Sequence, residues 1–307
     1  MEAWYRTLEK HVLNTFGQPG QLWLHALQSR VDRLAKKWNI THIKPLDFPS
    51  CHYVAFCDLA PNRPVVLKIS LDEQHIKHEY TIHEHFNGMG VVRILAVDWD
   101  DGAVLLERAV PGDVLRAMDR NEAMEIYANT IKQWQQCTHN HSGSYRHCGE
   151  WLDAMDGMDE KGIEKRLVDF ARELQTLLCH EKMEEKICHG DLHLGNIISH
   201  RNDYVAIDPK GVVGELAFEV SAFELLTEQE MQELEGVTLQ TQLHQRVQRL
   251  SSLTGCDEKR LLAWCYIRAL IGLISTGLPN SSKESVQHWQ RALILDGLYQ
   301  LQRREKS

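Results

Sequence analysis

Between two stretches of helix-period sequence, the run KICHGDLHLGNIISHRNDYVAIDPKGVVGE carries two short apolar segments, NIIS and YVAID, on either side of a His-Arg-Asn-Asp turn. It breaks the helical pattern and reads as a β-hairpin inserted into a helical region. The hairpin also holds polar residues that a purely structural strand pair does not need. Asp191 precedes Asn196 by five positions, and Asp208 follows Asn196 by twelve, at the end of the apolar run. Across a hairpin, the start of one strand and the end of the other are neighbours, so three oxygen-bearing side chains are expected to converge. Hard oxygen donors grouped this way suit Mg²⁺, which takes one or two carboxylates and leaves its other positions to water and phosphate oxygens. Taken singly, Asp191 and Asn196 read equally well as turn caps. The joint pattern HGDLHLGN followed by ID is what separates the two accounts.

The surrounding chain changes character once. Near the start, QLWLHALQSRVDRLAKKW places Leu24, Leu27, Val31, Leu34 and Trp38 on one helical face. CHYVAFC and PVVLKIS, separated by DLAPNR, read as two antiparallel strands. A helix is expected from Asp72 to Phe86, closed by Asn87 and Gly88, and VVRILAVDWDDGAVLLER reads as two further strands around an Asp-Asp-Gly turn. After Pro111-Gly112, helix-period segments dominate, with Met124, Tyr127, Ile131 and Trp134 in one and Ile163, Leu167, Phe170, Leu174 and Leu177 in another. The expected division is 1–109 and 110–307.

The order Asp, five-residue step, Asn, hairpin, Asp resembles that of protein-kinase-like phosphotransferases, and the HGD form resembles their aminoglycoside and choline kinase branch. The longer string HGDLHLGNII…AIDPKGVVGELAFEV is similar to the aminoglycoside/hydroxyurea resistance kinases, the streptomycin phosphotransferases among them. That resemblance implies an α+β, bilobal protein-kinase-like fold with a small antiparallel-sheet N-lobe carrying one helix and a larger, mainly helical C-lobe. It implies ATP and Mg²⁺, with Asp191 handling the acceptor hydroxyl proton and Asn196 and Asp208 holding metal. Upstream, it puts Lys68 of PVVLKIS on the strand that serves the ATP phosphates and Glu79 on the following helix as its partner, with Glu73 and Glu84 as rivals. The Arg108 carbonyl and the Val110 amide, on the connection between the lobes, are the expected adenine contacts. No GxGxxG separates the first two strands; PSCHYVAF stands there, and Ser50 is its small hydroxyl residue. His193, Glu215 and Glu219 are the candidates for orienting a loop or a substrate, which the resemblance expects to be a streptomycin-like antibiotic. Choline-type or thiosugar-type metabolites, or a noncatalytic nucleotide-binding role, stay open as alternatives.

Charge and composition exclude other classes. Thirty-four Lys plus Arg against 43 Asp plus Glu gives −9, with no long basic run, which argues against nucleic acid as the main partner and favours a cationic small molecule. Eight scattered cysteines without a CxxC pair fit a reducing, cytoplasmic setting, and the N-terminal MEAWYRTLEKHVLNTF lacks the pattern of a secretory signal. The most apolar stretch, Leu261 to Leu278, carries Arg268 near its middle and reads as a buried core helix, not a membrane span. The knot of Cys137, His139, His141, His147 and Cys148 fits no zinc spacing and reads as a polar loop. GxSxG and Walker-type GK[ST] motifs are missing, and NGMGVV lacks a third dinucleotide-binding glycine. The oligomeric state has no signature in the sequence.

Overall fold

The computed structural model describes residues 3–47, 50–137, 145–155, 163–180, 183–234, 236–276 and 282–304. The chain forms two compact units, one of Met1–Asp113 with Ile198–Ile207 and one of Val114–Ile197 with Asp208–Ser307.

In the first unit, helices α1 (Ala3–Phe16) and α2 (Gln18–Trp38) precede strands β1 (Ile40–Pro45), β2 (Tyr53–Leu59) and β3 (Arg63–Ile69). Helix α3 (Glu73–Phe86) follows, then β4 (Ile94–Asp98) and β5 (Ala103–Glu107). The five strands form an antiparallel sheet in the order β1-β2-β3-β5-β4. Strand alternation sorts its side chains. Val65, Leu67, Ile69, Ala103 and Leu105 join the cluster containing Leu24, Leu27, Val31 and Leu34 of α2. Val66, Val104 and Leu106 pack with Ile76 of α3 instead. Lys68 falls between Leu67 and Ile69 and is thereby turned to the α3 face. The Asp72 carboxylate caps α3 by accepting the His75 N–H, and Asn87 ends it in the left-handed region at φ 45°, as the sequence indicates.

Two elements of this unit escape the sequence reading. Helix α1 buries only Leu8 and Val12, too few to give a periodic signal. Strand β1 is a largely exposed edge strand ending at Pro45, where a missing N–H costs no sheet hydrogen bond.

The hairpin forms as expected, from β9 (Ile197–His200) and β10 (Asp203–Ala206), and joins β6 (Pro111–Val114) in a second small sheet. The sequence reading set it within helical surroundings, yet Ile198–Ile207 belongs to the first unit. Its apolar residues explain why: Ile198, Val205 and Ile207 pack against the cluster of Ile76, Val92, Val104 and Leu106. The Val92 N–H also donates to the Ala206 carbonyl at 3.1 Å.

The second unit is mainly helical, with α4 (Arg120–Gln135), α5 (Gly149–Asp153), α6 (Lys165–His180), α7 (Leu216–Val220), α8 (Glu228–Glu233), α9 (Gly236–Thr254), α10 (Glu258–Thr276) and α11 (Lys283–Arg304). Strands β7 (Arg146–His147), β8 (Glu185–Cys188) and β11 (Val212–Glu215) make a small sheet in the order β7-β11-β8. Met124, Tyr127, Ile131 and Trp134 of α4 are all buried. In α6 the buried stripe runs through Leu167, Phe170, Leu174 and Leu178, and Leu177 is 38 % exposed, because a 3.6-residue period drifts off a strict sequence step. Helix α10 buries Leu261, Leu262, Trp264, Tyr266, Ile267 and Leu270 around its circumference, the mark of a core helix. Among the described residues, no helix is long and apolar enough to cross a membrane. The cysteines form no disulfide among the described residues. His139 and His141 of the Cys/His knot lie outside the described residues, as do positions 156–160 of the acidic run LDAMDGMDE. His147 meets the carboxylate of Glu185 at 2.8 Å.

Candidate active site

In the first unit, Lys68 Nζ lies 2.7 Å from Glu79 Oε2, and both side chains are buried. Of the three candidate glutamates, Glu79 is the one that makes this pair: Glu73 is exposed and reaches Lys77 at 3.6 Å, and Glu84 is exposed on the far side of the helix. His75 stands one turn before Glu79, 3.5 Å from the same oxygen, and stacks on His52 with ring centroids 4.3 Å apart. His52 in turn meets Ser70 Oγ at 2.9 Å. This histidine pair was not singled out in the sequence, since one member lies in a loop and the other on a helix. Ser50 is exposed in the loop ahead of β2. Arg108 lays its guanidinium 3.8 Å from the Phe56 ring centre, and its N–H donates to the Pro64 carbonyl at 3.4 Å. The Val110 N–H donates to His200 Nδ1 at 3.2 Å, and its carbonyl accepts the Arg201 N–H at 2.8 Å.

In the second unit, the segment from His189 to Asn196 is a self-bonded loop. His189 is fully buried and stacks on Trp134 at 5.2 Å, and its Nδ1 accepts the Asp191 N–H at 3.2 Å. The Asp191 carbonyl accepts the His193 N–H and the Asn196 Nδ2, both at 2.9 Å. Because the Asn196 amide nitrogen is spent on that carbonyl, its Oδ1 is the atom left to receive a ligand. His193 Nδ1 accepts the Gly195 N–H at 3.0 Å, so this ring fixes the loop and also meets Arg116 at 3.3 Å. Gly190 sits at φ +85°, and a Cβ there would come within 2.5 Å of Val212 Cγ2, which accounts for glycine between His189 and Asp191. The His189 carbonyl ties down the following segment by accepting the Lys210 and Gly211 N–H groups at 2.8 and 3.0 Å. Asp208, at φ 58°, pairs with Lys210 Nζ at 2.7 Å.

The electrostatics follow from this packing. Burial pushes the Asp191 carboxyl above the ordinary carboxylate range; His193, Lys210 and Arg268 pull it back, and Asp208 adds to the rise. Glu219 of α7 lies beneath the loop, 3 % exposed, and accepts the Gly190 N–H at 3.1 Å. Burial raises this carboxyl from 4.5 to about 7, against the Gly190 hydrogen bond and Arg268. Between those two pH values the native state keeps a proton that the unfolded chain releases, so Glu219 makes stability fall as pH rises through that window. Glu219→Gln still accepts from Gly190 but cannot ionise, and it is expected to flatten the decline. Denaturant midpoints across the window measure it, and an unchanged slope in the variant would assign the decline to another group. Glu215 is buried as well and is bound on both oxygens by Arg260, at 2.6 and 2.7 Å.

Asp191 and His193 line a cavity of about 730 Å³ whose walls come wholly from the second unit. Asn196, Asp208, Glu215 and Glu219 are not part of its lining. Of the Asp191, Asn196 and Asp208 set, Asp191 is the member that lines this cavity. The cavity walls also include Arg116, Arg120, Arg268 and Arg291, none of which the sequence marks as functional. They come from positions 116 to 291 with no shared motif, and only the helical packing gathers them.

Comparison with known proteins identifies the family and the fold. Residues 46–274 match the model of the aminoglycoside/hydroxyurea antibiotic resistance kinase family. The chain is 25% identical to streptomycin 6-kinase of Streptomyces glaucescens, over 83% of this chain and 84% of that protein. It is 23% identical to hydroxyurea phosphotransferase of Kitasatospora aureofaciens, over 83% and 74%. Among solved structures, a thermostable mutant of an aminoglycoside phosphotransferase, crystallised with AMP-PNP and hygromycin B, superposes with a TM-score of 0.60 at 14% identity, covering 87% of this chain and 97% of that one. Choline kinase LicA from Streptococcus pneumoniae gives 0.60 at 13% identity, covering 90% and 99%. The fold is therefore the protein-kinase-like one of aminoglycoside phosphotransferases and choline kinases, with its N-terminal antiparallel sheet and helix and its helical C-terminal region, and the chain belongs to the aminoglycoside/hydroxyurea antibiotic resistance kinase family.

Proposed function

We propose that this protein transfers the γ-phosphate of ATP to an alcohol group of a small molecule. The observation that carries the reading is the loop from His189 to Asn196, which fixes Asn196 on the Asp191 carbonyl while the Asp191 side chain opens on the 730 Å³ cavity. A cavity of this size suits a small organic acceptor. Residues 1–109 would act as the nucleotide lobe and 110–307 as the catalytic and substrate lobe. Lys68, held by Glu79, would position the nonreacting phosphates; Arg108, Val110 and Ser50 remain proposed nucleotide contacts, with the Val110 amide already engaged by His200. The donor set of Asn196 Oδ1 and the Asp208 carboxylate fits Mg²⁺, a hard cation that prefers oxygen. When bound, that ion would neutralise triphosphate charge. Asp191 would orient the acceptor hydroxyl and take its proton as the new oxygen–phosphorus bond forms and the bond to the ADP oxygen breaks. The protein's share is mostly alignment, since phosphoryl transfer passes through a loose transition state.

The family and the streptomycin 6-kinase relative make streptomycin-type antibiotics, with hydroxyurea, the first acceptors to test. Use of ATP and cysteines that form no disulfide among the described residues support a cytoplasmic setting. Thermal shift with Mg·AMP-PNP followed by ADP release on a hydroxylated panel tests the reading. A shift with turnover that Asp208→Asn abolishes is the expected result. Stabilisation by nucleotide with no turnover of any alcohol would instead favour a noncatalytic nucleotide-binding role.

A further inference from the structure

Among the described residues, the charge lining the cavity is opposite in sign to that of the chain as a whole: four guanidinium groups, Arg116, Arg120, Arg268 and Arg291, stand with three carboxylates, Asp191, Glu224 and Glu228. Arg116 pairs with Glu224 at 2.8 Å. Arg268 is also committed, donating to Ser221 Oγ at 2.7 Å and to the Phe218 carbonyl at 3.0 Å. Arg120 and Arg291 are not matched in this way. Arg120 is 6 % exposed; its Nη1 donates to the Arg116 carbonyl at 3.2 Å, and its Nε is buried with no partner. The carboxylates that act on it are Glu224, taken by Arg116, and Glu230, bound on both oxygens by Arg246 at 2.6 and 2.8 Å. Arg291 makes no hydrogen bond or ion pair among the described residues and shares the influence of Glu224 and Arg116. Burial, nearly complete for Arg120 and partial for Arg291, lowers the pKa of both guanidinium groups, as it does for cations without a full countercharge.

A polycation entering this space would meet like charge, whereas an anion would supply the missing partner. Guanidinium groups bind carboxylate and phosphate oxygens through charge-assisted hydrogen bonds. Both arginines line the same cavity as Asp191, whereas Asn196 and Asp208 are not in its lining. We propose that Arg120 and Arg291 form an anion subsite in the acceptor cavity, so that the acceptor bears a carboxylate or phosphate group besides the hydroxyl presented to Asp191. The proposal rests on the phosphotransfer reading and narrows its acceptor, and it replaces the cationic acceptor that the net charge of −9 favours.

The test has two arms, so that this proposal and the phosphotransfer reading can fail separately. Inorganic phosphate is titrated calorimetrically into the full chain saturated with Mg·AMP-PNP, which blocks the nucleotide's own phosphate sites. One saturable site is expected, weakened at least about tenfold in Arg291→Gln. That residue is only half-buried, so the variant should fold, and Arg120→Gln is the second probe. Phosphate binding that disappears when AMP-PNP is loaded, or that neither variant weakens relative to the unsubstituted protein, overturns the subsite. In the second arm, acceptors of matched skeleton are compared: glucose, glucosamine, gluconate and glucose 6-phosphate, with streptomycin beside them. The anionic members are expected to exceed the neutral and cationic ones by about tenfold or more in kcat/KM, with gluconate against glucose 6-phosphate separating carboxylate from phosphate. Preference for glucosamine or streptomycin overturns the proposal. If no panel member is phosphorylated, the Arg291→Gln isotherm decides. If AMP-PNP itself does not bind, the phosphotransfer reading fails, and the isotherm run without nucleotide still decides on the arginine pair.

Discussion

Asp191→Asn is expected to lower ATP-dependent phosphate transfer by about 10²–10⁴-fold, the usual worth of a positioned general base. The substitution isolates the carboxylate because the loop is built on the backbone of residue 191 and not on its side chain. Its carbonyl accepts from His193 and Asn196, and its N–H donates to His189. An asparagine leaves all three bonds in place and keeps the volume, so nucleotide affinity should hold while kcat and kcat/KM fall together. The pH profile adds a second signature. Burial raises the Asp191 carboxyl, so the base form is lost at a higher pH than for an ordinary aspartate, and the acidic limb of kcat/KM should move upward accordingly. That limb should vanish from the residual activity of the variant. Full turnover in Asp191→Asn would remove the residue from the proton path. Asn196→Ala makes a useful contrast, since it releases the tether to the Asp191 carbonyl and removes the proposed metal oxygen at once.

The sequence exposed what depends on local spacing and hid what depends on packing. The Asp191, Asn196 and Asp208 pattern is legible because one short loop and hairpin carry all three, whereas Lys68 is placed on its strand by resemblance. Glu79 could be placed among its rivals only by resemblance, since helix periodicity alone offers three glutamates near that face. The hairpin was readable as a hairpin, but its membership in the first unit was not, because that depends on Ile198, Val205 and Ile207 meeting Ile76 and Val92 far upstream. Asp101 shows the same limit. In the sequence it is half of an Asp-Asp-Gly turn, whereas in the structure it is buried and bound by Arg30 and Arg33 of α2. The arginines of the cavity are the extreme case, spread from 116 to 291 with no common spacing. Net charge averages over solvated helix faces and says nothing of the walls of one cavity.

Arg260→Met should be the most destabilising of the changes considered, by about 3–5 kcal/mol, because it leaves a buried carboxylate without its cation. Arg260 joins three elements at once. From α10 it holds both oxygens of Glu215 at the end of β11, and it donates to the Leu177 and Leu178 carbonyls, at 3.5 and 3.0 Å, in the last turn of α6. Those helix-terminal carbonyls have no partner further along α6, so the guanidinium also serves as its C-terminal cap. Trp264 Nε1 adds a third bond to Glu215 at 2.6 Å, and both charged side chains are under a tenth exposed. Loss of the cation leaves Glu215 with the indole alone, and the melting temperature should fall on the order of 10 °C for a chain of this size. Removing both charges in Arg260→Met with Glu215→Leu should recover much of the loss, since the desolvation cost disappears with the pair. The same series decides what Glu215 is for. If it supports the fold, Glu215→Gln lowers the melting temperature and leaves the acceptor KM nearly constant. If it binds substrate, the KM rises while the melting temperature holds, and a loss below about 1 kcal/mol in Arg260→Met would point the same way.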